Sequence, residues 1–127
     1  MRVTKLIKNY IERRVDAIYQ PKIEEVRADY NAQYDRLTKI LDDLLDKVNQ
    51  DAKNVLKDSG FIGGYGYNDN EEIFYRRDIH NNSWLDEIRK KENVIKKERN
   101  EKIEEIIITL ELGGTKAQLE EMLNALV

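Results

Sequence analysis

Residues 23–56, IEEVRADYNAQYDRLTKILDDLLDKVNQDAKNVL, decide the fold. Apolar and aromatic side chains recur there at steps of three or four residues, which places them on one face of an α-helix. This stripe consists of Ile23, Val26, Tyr30, Tyr34, Leu37, Leu41, Leu44, Val48, Ala52 and Val55. Its mean spacing lies between a strict heptad repeat and the period of a straight helix. The sequence therefore predicts a long, weakly supercoiled helix over residues 22–58.

A second long helical segment covers residues 83–112, where Ser83 and Asp86 have the spacing of a capping box. Its apolar face contains Leu85, Ile88, Ile95, Ile106 and Leu110. We expect the helices at 22–58 and 83–112 to form a long antiparallel, coiled-coil-like hairpin in a mainly α, single-domain protein spanning residues 1–127.

Two shorter helices complete the expected fold. Residues 1–20 carry a third apolar stripe, which Pro21 should separate from the next helix by a kink or a short break, because proline removes a backbone hydrogen bond. At the other end, Gly113-Gly114 should end the second long helix. Thr115 and Gln118 then predict a capped helix over residues 115–126.

The segment between the long helices, residues 60–82, has a different composition. It contains four of the six glycines, several aromatic residues and a turn signal at 68–70, which predicts a loop or a small β-hairpin. Exposed aromatic clusters often mark contact surfaces. The candidate partner-binding residues are Tyr65, Tyr67, Phe74, Tyr75, Arg76 and Arg77. The same segment is also compatible with a nucleotide-stacking platform or a structural lid.

The composition argues against several classes of function. There is no cysteine and a single histidine, His80, so thiol catalysis and a two-histidine metal site are excluded. We find no enzyme motif and expect no cofactor. Asp42, Asp43 and Asp46 resemble a carboxylate cluster, but a solvated helix face explains them better. No segment has the length and apolarity of a membrane span, so we expect a cytoplasmic protein.

The charge is unevenly distributed, although the net charge is only -3. Residues 1–22 carry six basic and two acidic groups, whereas residues 103–127 carry one basic and five acidic groups. Opposite charges at the two ends favour contact between them, within a chain or between chains. The weak overall field makes nucleic acid an unlikely main partner.

The expected function is non-catalytic protein binding. The chain is rich in Lys, Asn, Ile and Tyr, and in this it resembles small accessory proteins of phages from low-GC bacteria. That resemblance implies an inhibitor of a host macromolecular complex, such as a defence complex. The alternatives are a self-assembling scaffold and a nucleotide-binding protein. Long thin helical hairpins bury little surface, so we expect a homo-oligomer, with a dimer favoured. The expected oligomer or core residues are Leu37, Leu41, Leu44, Val48, Ile106 and Leu110.

Overall fold

The computed structural model describes residues 1–60, 74 and 82–127, and in that part of the chain it contains three α-helices and no strand. These are α1 (Lys5–Asp58), α2 (Ser83–Glu111) and α3 (Lys116–Asn124). Helices account for 86% of the described residues, which confirms the mainly α prediction. Apart from residues 60, 74 and 82, the predicted loop or β-hairpin lies outside the described residues.

Pro21 does not divide the first helix. The structure differs here from the expected separate helices at 1–20 and 22–58, because α1 continues from Lys5 to Asp58 with Pro21 inside it. Proline still removes the hydrogen bond to the carbonyl of Ala17, but Ala17 is exposed and water can bind that oxygen. Tyr19 and Ile23 are both buried on either side of Pro21. Their packing holds the two flanking turns in one helix.

The helix ends follow the local sequence, with one difference. The Oδ1 atom of Asn82 accepts a hydrogen bond from the backbone N–H of Trp84 at 2.9 Å. Asn82 therefore caps α2, and Ser83, which was expected to be the cap, is the first helical residue. At α3 the prediction is confirmed, since Thr115 and Gln118 form a complete capping box.

The glycine pair ends α2 as expected. Gly113 has a φ of 110°, and the N–H groups of Gly113 and Gly114 donate to the carbonyls of Leu110 and Thr109, respectively. This is the Schellman arrangement, which satisfies the last carbonyls of a helix. A Cβ atom on Gly114 would lie 2.9 Å from the Thr109 carbonyl oxygen. The turn that leads into α3 therefore requires both glycines.

The chain divides into two compact units. Unit 1 contains Met1–Tyr30 and Asp86–Val127, and unit 2 contains Asn31–Leu85. Unit 1 has a hydrophobic core to which all three helices contribute. The buried members of this core are Ile11, Val15, Tyr19, Ile103, Ile106, Leu110, Leu119 and Leu123. Burying an aliphatic side chain completely contributes roughly 1.5–3 kcal/mol, so this cluster is the main source of stability in unit 1.

Ion pairs set the direction of α2 against α1 in unit 1. Asp16 accepts two hydrogen bonds from Arg99, at 2.7 and 3.0 Å, and this pairing raises the pKa of the guanidinium. Arg27 bonds to Glu92 and lowers the pKa of that carboxyl, with a smaller contribution from Lys96. Asp16 contacts Arg99, whereas Arg27, later in α1, contacts Glu92, which is earlier in α2. These segments are therefore antiparallel. In unit 1, α2 therefore contacts α1 on both sides of Pro21, at Asp16 and at Arg27.

A polar cluster fastens α3 to the start of α1. Tyr10 donates a hydrogen bond to Glu120, while Arg14 donates to Tyr10, to Glu120 and to Asn124. The hydrogen bond from Tyr10, followed by that from Arg14, lowers the pKa of the Glu120 carboxyl. The basic beginning and acidic end of the chain thus meet within one molecule, since the Arg14–Glu120 distance is 3.2 Å.

Unit 2 buries much less of the predicted stripe. Leu44 is 55% exposed and Val55 is 64% exposed, so neither side chain is buried within one chain, and the expected coverage of Leu44 in an oligomer stays a prediction. Leu37, Leu41 and Val48 are partly buried. The spacing of a stripe determines which residues share a helix face, but burial also requires an element that covers that face. In unit 2 the described buried residues are Asn49 and Leu85.

Candidate protein-binding site

A buried asparagine on α1 fixes the position of Phe74. Asn49 is 6% exposed, and its Nδ2 atom donates to the carbonyl of Phe74 at 3.0 Å. The N–H of Phe74 donates in turn to Oδ1 of Asn49 at 2.6 Å. A buried amide is costly unless its donor and acceptor are both bonded, and here one backbone residue satisfies both. The Asn49 side chain therefore holds the backbone of residue 74 beside α1. The phenyl ring of Phe74 takes no part in these hydrogen bonds and can make other contacts.

The Phe74 ring borders an open apolar groove of about 490 Å³. The groove is lined by Val48, Asp51, Ala52, Val55, Leu56 and Phe74. Phe74 is 48% exposed and Val55 is 64% exposed, so two large apolar side chains face solvent at the same place. We call this surface the Phe74 groove. Its chemistry suits an apolar side chain from another protein, and among the described residues of its lining Asp51 is the charged one.

A second aromatic side chain is exposed in unit 2. Trp84 is 61% exposed, and the guanidinium of Arg36 lies 5.8 Å from the centre of its ring. Arg36 also donates a hydrogen bond to Gln33 at 3.0 Å. Tryptophan and arginine are common at the energetic centres of protein interfaces. Trp84 is therefore a second candidate contact residue.

The structure places only part of the predicted site. Of the six candidate binding residues, Phe74 lies in the groove, and Tyr65, Tyr67, Tyr75, Arg76 and Arg77 lie outside the described residues. Of the expected oligomer or core residues, Ile106 and Leu110 are buried in unit 1. Leu44 is exposed, as described above.

Sequence reasoning missed Asn49 and Trp84. Asn49 lies one helical turn from the apolar residues Leu45 and Ala52, and a polar residue on such a face could have indicated a buried hydrogen-bonding role. Trp84 is the only tryptophan in the chain, and its position at the start of α2 gives no sequence pattern that indicates exposure.

Other kinds of site receive no support from the described part of the chain. Within residues 1–60, 74 and 82–127, no group of three or more His, Cys, Asp or Glu side chains is arranged to hold a metal ion, and this includes Asp42, Asp43 and Asp46. Among the helices described, none is long and apolar enough to cross a membrane. Comparison with protein-family models, with curated proteins and with solved structures finds no match.

Proposed function

We propose that this chain is a non-catalytic protein-binding protein and that the Phe74 groove receives an apolar side chain of its partner. The observation that supports this most directly is that the Phe74 backbone is hydrogen-bonded to Asn49 at both its N–H and its carbonyl while the ring is exposed. Asn49 fixes residue 74 by two hydrogen bonds, while the ring itself stays 48% exposed beside Val55. A preorganised aromatic edge loses little conformational entropy on binding.

The partner we propose is a host macromolecular complex, such as a defence complex, which the chain inhibits by occupying a surface. This narrower proposal rests on the compositional resemblance to phage accessory proteins. Blocking a surface requires a stable contact patch and no reactive group. Phe74 and Trp84, two exposed aromatic residues in the described part of unit 2, provide such contacts.

Affinity purification from the bacterial host tests both parts of the proposal. A tagged chain should co-purify one defined host complex, and Val55→Asp should weaken that binding at least tenfold, equivalent to about 1.4 kcal/mol. The variant places a charge in the groove at a residue that is 64% exposed, so folding should be unaffected. Lys57→Ala, an exposed change on the last turn of α1, is the matched control.

The outcomes separate the candidate functions. Wild-type affinity in both Val55→Asp and Phe74→Ala would exclude the groove as the binding site. Large self-assemblies with no host protein bound would favour the scaffold alternative. Thermal stabilisation by a nucleotide would favour a nucleotide-binding protein, since a ligand that binds only the folded state raises the stability of that state.

We also propose that α1 and α2 form a coiled-coil-like hairpin. Its support is the order of contacts in each unit, with Arg27 bonded to Glu92 in unit 1 and Arg36 over the ring of Trp84 in unit 2. Because the chain has no native cysteine, a Val26→Cys/Lys91→Cys pair, at two residues that line the same groove of unit 1, tests this register by disulfide formation in the monomer. The pair Val26→Cys/Lys97→Cys, displaced by nearly two turns along α2, should not oxidise.

A further inference from the structure

The α1 surface around Leu44 has an apolar centre. Ile40 is 53% exposed and Leu44 is 55% exposed, and they are one helical turn apart. Val48 follows one turn later and is partly buried. Since successive residues are rotated by about 100°, Leu44 and Asn49 project about 140° apart. Leu44 therefore points away from the Asn49 side chain that holds Phe74, although Val48 borders both the Leu44 surface and the Phe74 groove.

Four charged side chains border this apolar centre. Arg36, Asp43, Lys47 and Asp51 all project within about 100° of the direction of Leu44. All four are exposed, and Asp43 retains 67% exposure even though it pairs with Lys39 at 3.4 Å. Along the chain their charges read plus, minus, plus, minus.

This order of charges complements itself in an antiparallel pair of helices. Suppose that a two-fold axis passes beside Leu44. A residue that precedes Leu44 in one copy then faces a residue that follows Leu44 by about the same number of positions in the other copy. Asp43 then lies near Lys47 of the second copy, and Arg36 lies near Asp51 of the second copy. The apolar residues match as well, because Leu44 meets its own equivalent and Ile40 lies opposite Val48. A parallel pair would instead place Asp43 beside Asp43 and Lys47 beside Lys47.

We propose that a second copy of this chain covers the Leu44 surface, in an antiparallel dimer whose two-fold axis passes beside Leu44. Flanking charges of this kind commonly set the orientation of paired helices. The symmetry is isologous, so each attractive charge pair occurs twice. The proposed dimer borders the Phe74 groove at Val48 and Asp51, so its tests use Asp43 and Lys47, which do not line that groove.

Charge substitutions test the proposed pairing. Two helices that cross over a few turns bury less than the roughly 1,600 Å² of a standard interface, so we expect a monomer–dimer equilibrium in the micromolar range. Asp43→Lys alone and Lys47→Asp alone should each weaken dimerisation at least tenfold in sedimentation equilibrium, because each creates two repulsive contacts. The double variant Asp43→Lys/Lys47→Asp restores opposite charges and should return the dissociation constant to within about threefold of wild type.

Asp46→Lys is the matched control. Asp46 is exposed on the same helix, but it projects about 160° from Leu44, so its reversal should leave the dimer unchanged. Circular dichroism should show that each variant keeps the helix content of the wild-type chain. A wild-type chain that remains a 15.0 kDa monomer at 100 µM would overturn the proposal, and so would a double variant as weak as the single ones.

Cysteine oxidation tests the orientation separately. In an antiparallel dimer only residues beside the axis meet their own equivalents, so Leu44→Cys should form a disulfide-linked dimer and Ile40→Cys alone should not. An equimolar mixture of Ile40→Cys and Val48→Cys chains should cross-link. Efficient homodimer formation by Ile40→Cys would show a parallel pair and contradict the proposed symmetry.

Discussion

At the residue scale, two leucines that the sequence places on apolar helix faces differ in burial, one on α2 and the other on α1. Leu110 is 0% exposed in unit 1, whereas Leu44 is 55% exposed in unit 2. Leu110→Ala should lower the free energy of unfolding by about 2–5 kcal/mol, because it removes buried methyl groups and leaves a cavity. Leu44→Ala should cost less than about 1 kcal/mol in the monomer. Urea denaturation at concentrations below the dimer range compares them, and equal losses would contradict this assignment of the core.

Asn49 provides a second test at this scale. Asn49→Ala leaves the N–H and carbonyl of Phe74 without their side-chain partner and should destabilise unit 2 by about 1–3 kcal/mol. Gln50→Ala is the control, since Gln50 is exposed and its side chain donates a hydrogen bond to the exposed Asn54 at 3.0 Å. Hydrogen exchange at the backbone N–H of Phe74 should accelerate in the Asn49 variant alone. Unchanged exchange would show that Asn49 does not hold residue 74.

At the scale of elements, the ends of the helices depend on local chemistry and the continuity of α1 depends on packing. Caps and glycine turns act within a few residues, so Thr115, Gln118 and Gly113 have the roles that their spacing predicts. Pro21 lies inside a helix because Tyr19 and Ile23 are buried on either side of it. Local preference alone would have favoured a break.

The junction between α2 and α3 makes this argument testable. Gly113→Ala places a Cβ atom at a φ of 110°, which should cost about 1–2 kcal/mol in chemical denaturation. Thr115→Ala removes the α3 cap and should cost about 1 kcal/mol. Lys90→Ala, at an exposed residue in the middle of α2, provides a comparison outside the junction. A Gly113→Ala variant as stable as wild type would show that the left-handed conformation is not required.

At the scale of the whole molecule, two carboxyls link stability to pH. Glu92, bonded to Arg27, and Glu120, bonded to Tyr10 and Arg14, both have pKa values below the ordinary value of 4.5. A carboxyl whose pKa is lower in the folded state stabilises that state while it is charged. This contribution is fully present above about pH 4.5 and is lost as the pH falls through the lower folded pKa values.

The double variant Glu92→Gln/Glu120→Gln should therefore show a shallower loss of stability between about pH 5 and pH 2 than wild type. Thermal unfolding measured across this range tests the difference. Glu104→Gln, at an exposed carboxyl of α2, should keep the wild-type dependence. Identical curves for all three proteins would mean that neither carboxyl is coupled to folding.

The sequence by itself determined the mainly α class, the approximate extent of α2 and α3, and the chemistry of the α3 cap and the Gly113 turn. These features depend on hydrophobic periodicity and on contacts between residues a few positions apart, and both can be predicted from a single amino-acid sequence. It also indicated Phe74 as a candidate contact residue, but not Asn49, which holds it.

Only the tertiary structure decided which part of α1 is core. The apolar residues before Tyr30 and those after it follow the same helical spacing, but α2 and α3 cover the residues from Ile11 to Tyr19 and leave Leu44 and Val55 exposed. Periodicity shows which side chains can be buried together, and it does not show whether another element lies against them. For the same reason the sequence left a kink or a short break as the alternatives at Pro21, where the structure has one continuous helix with Tyr19 and Ile23 buried on either side.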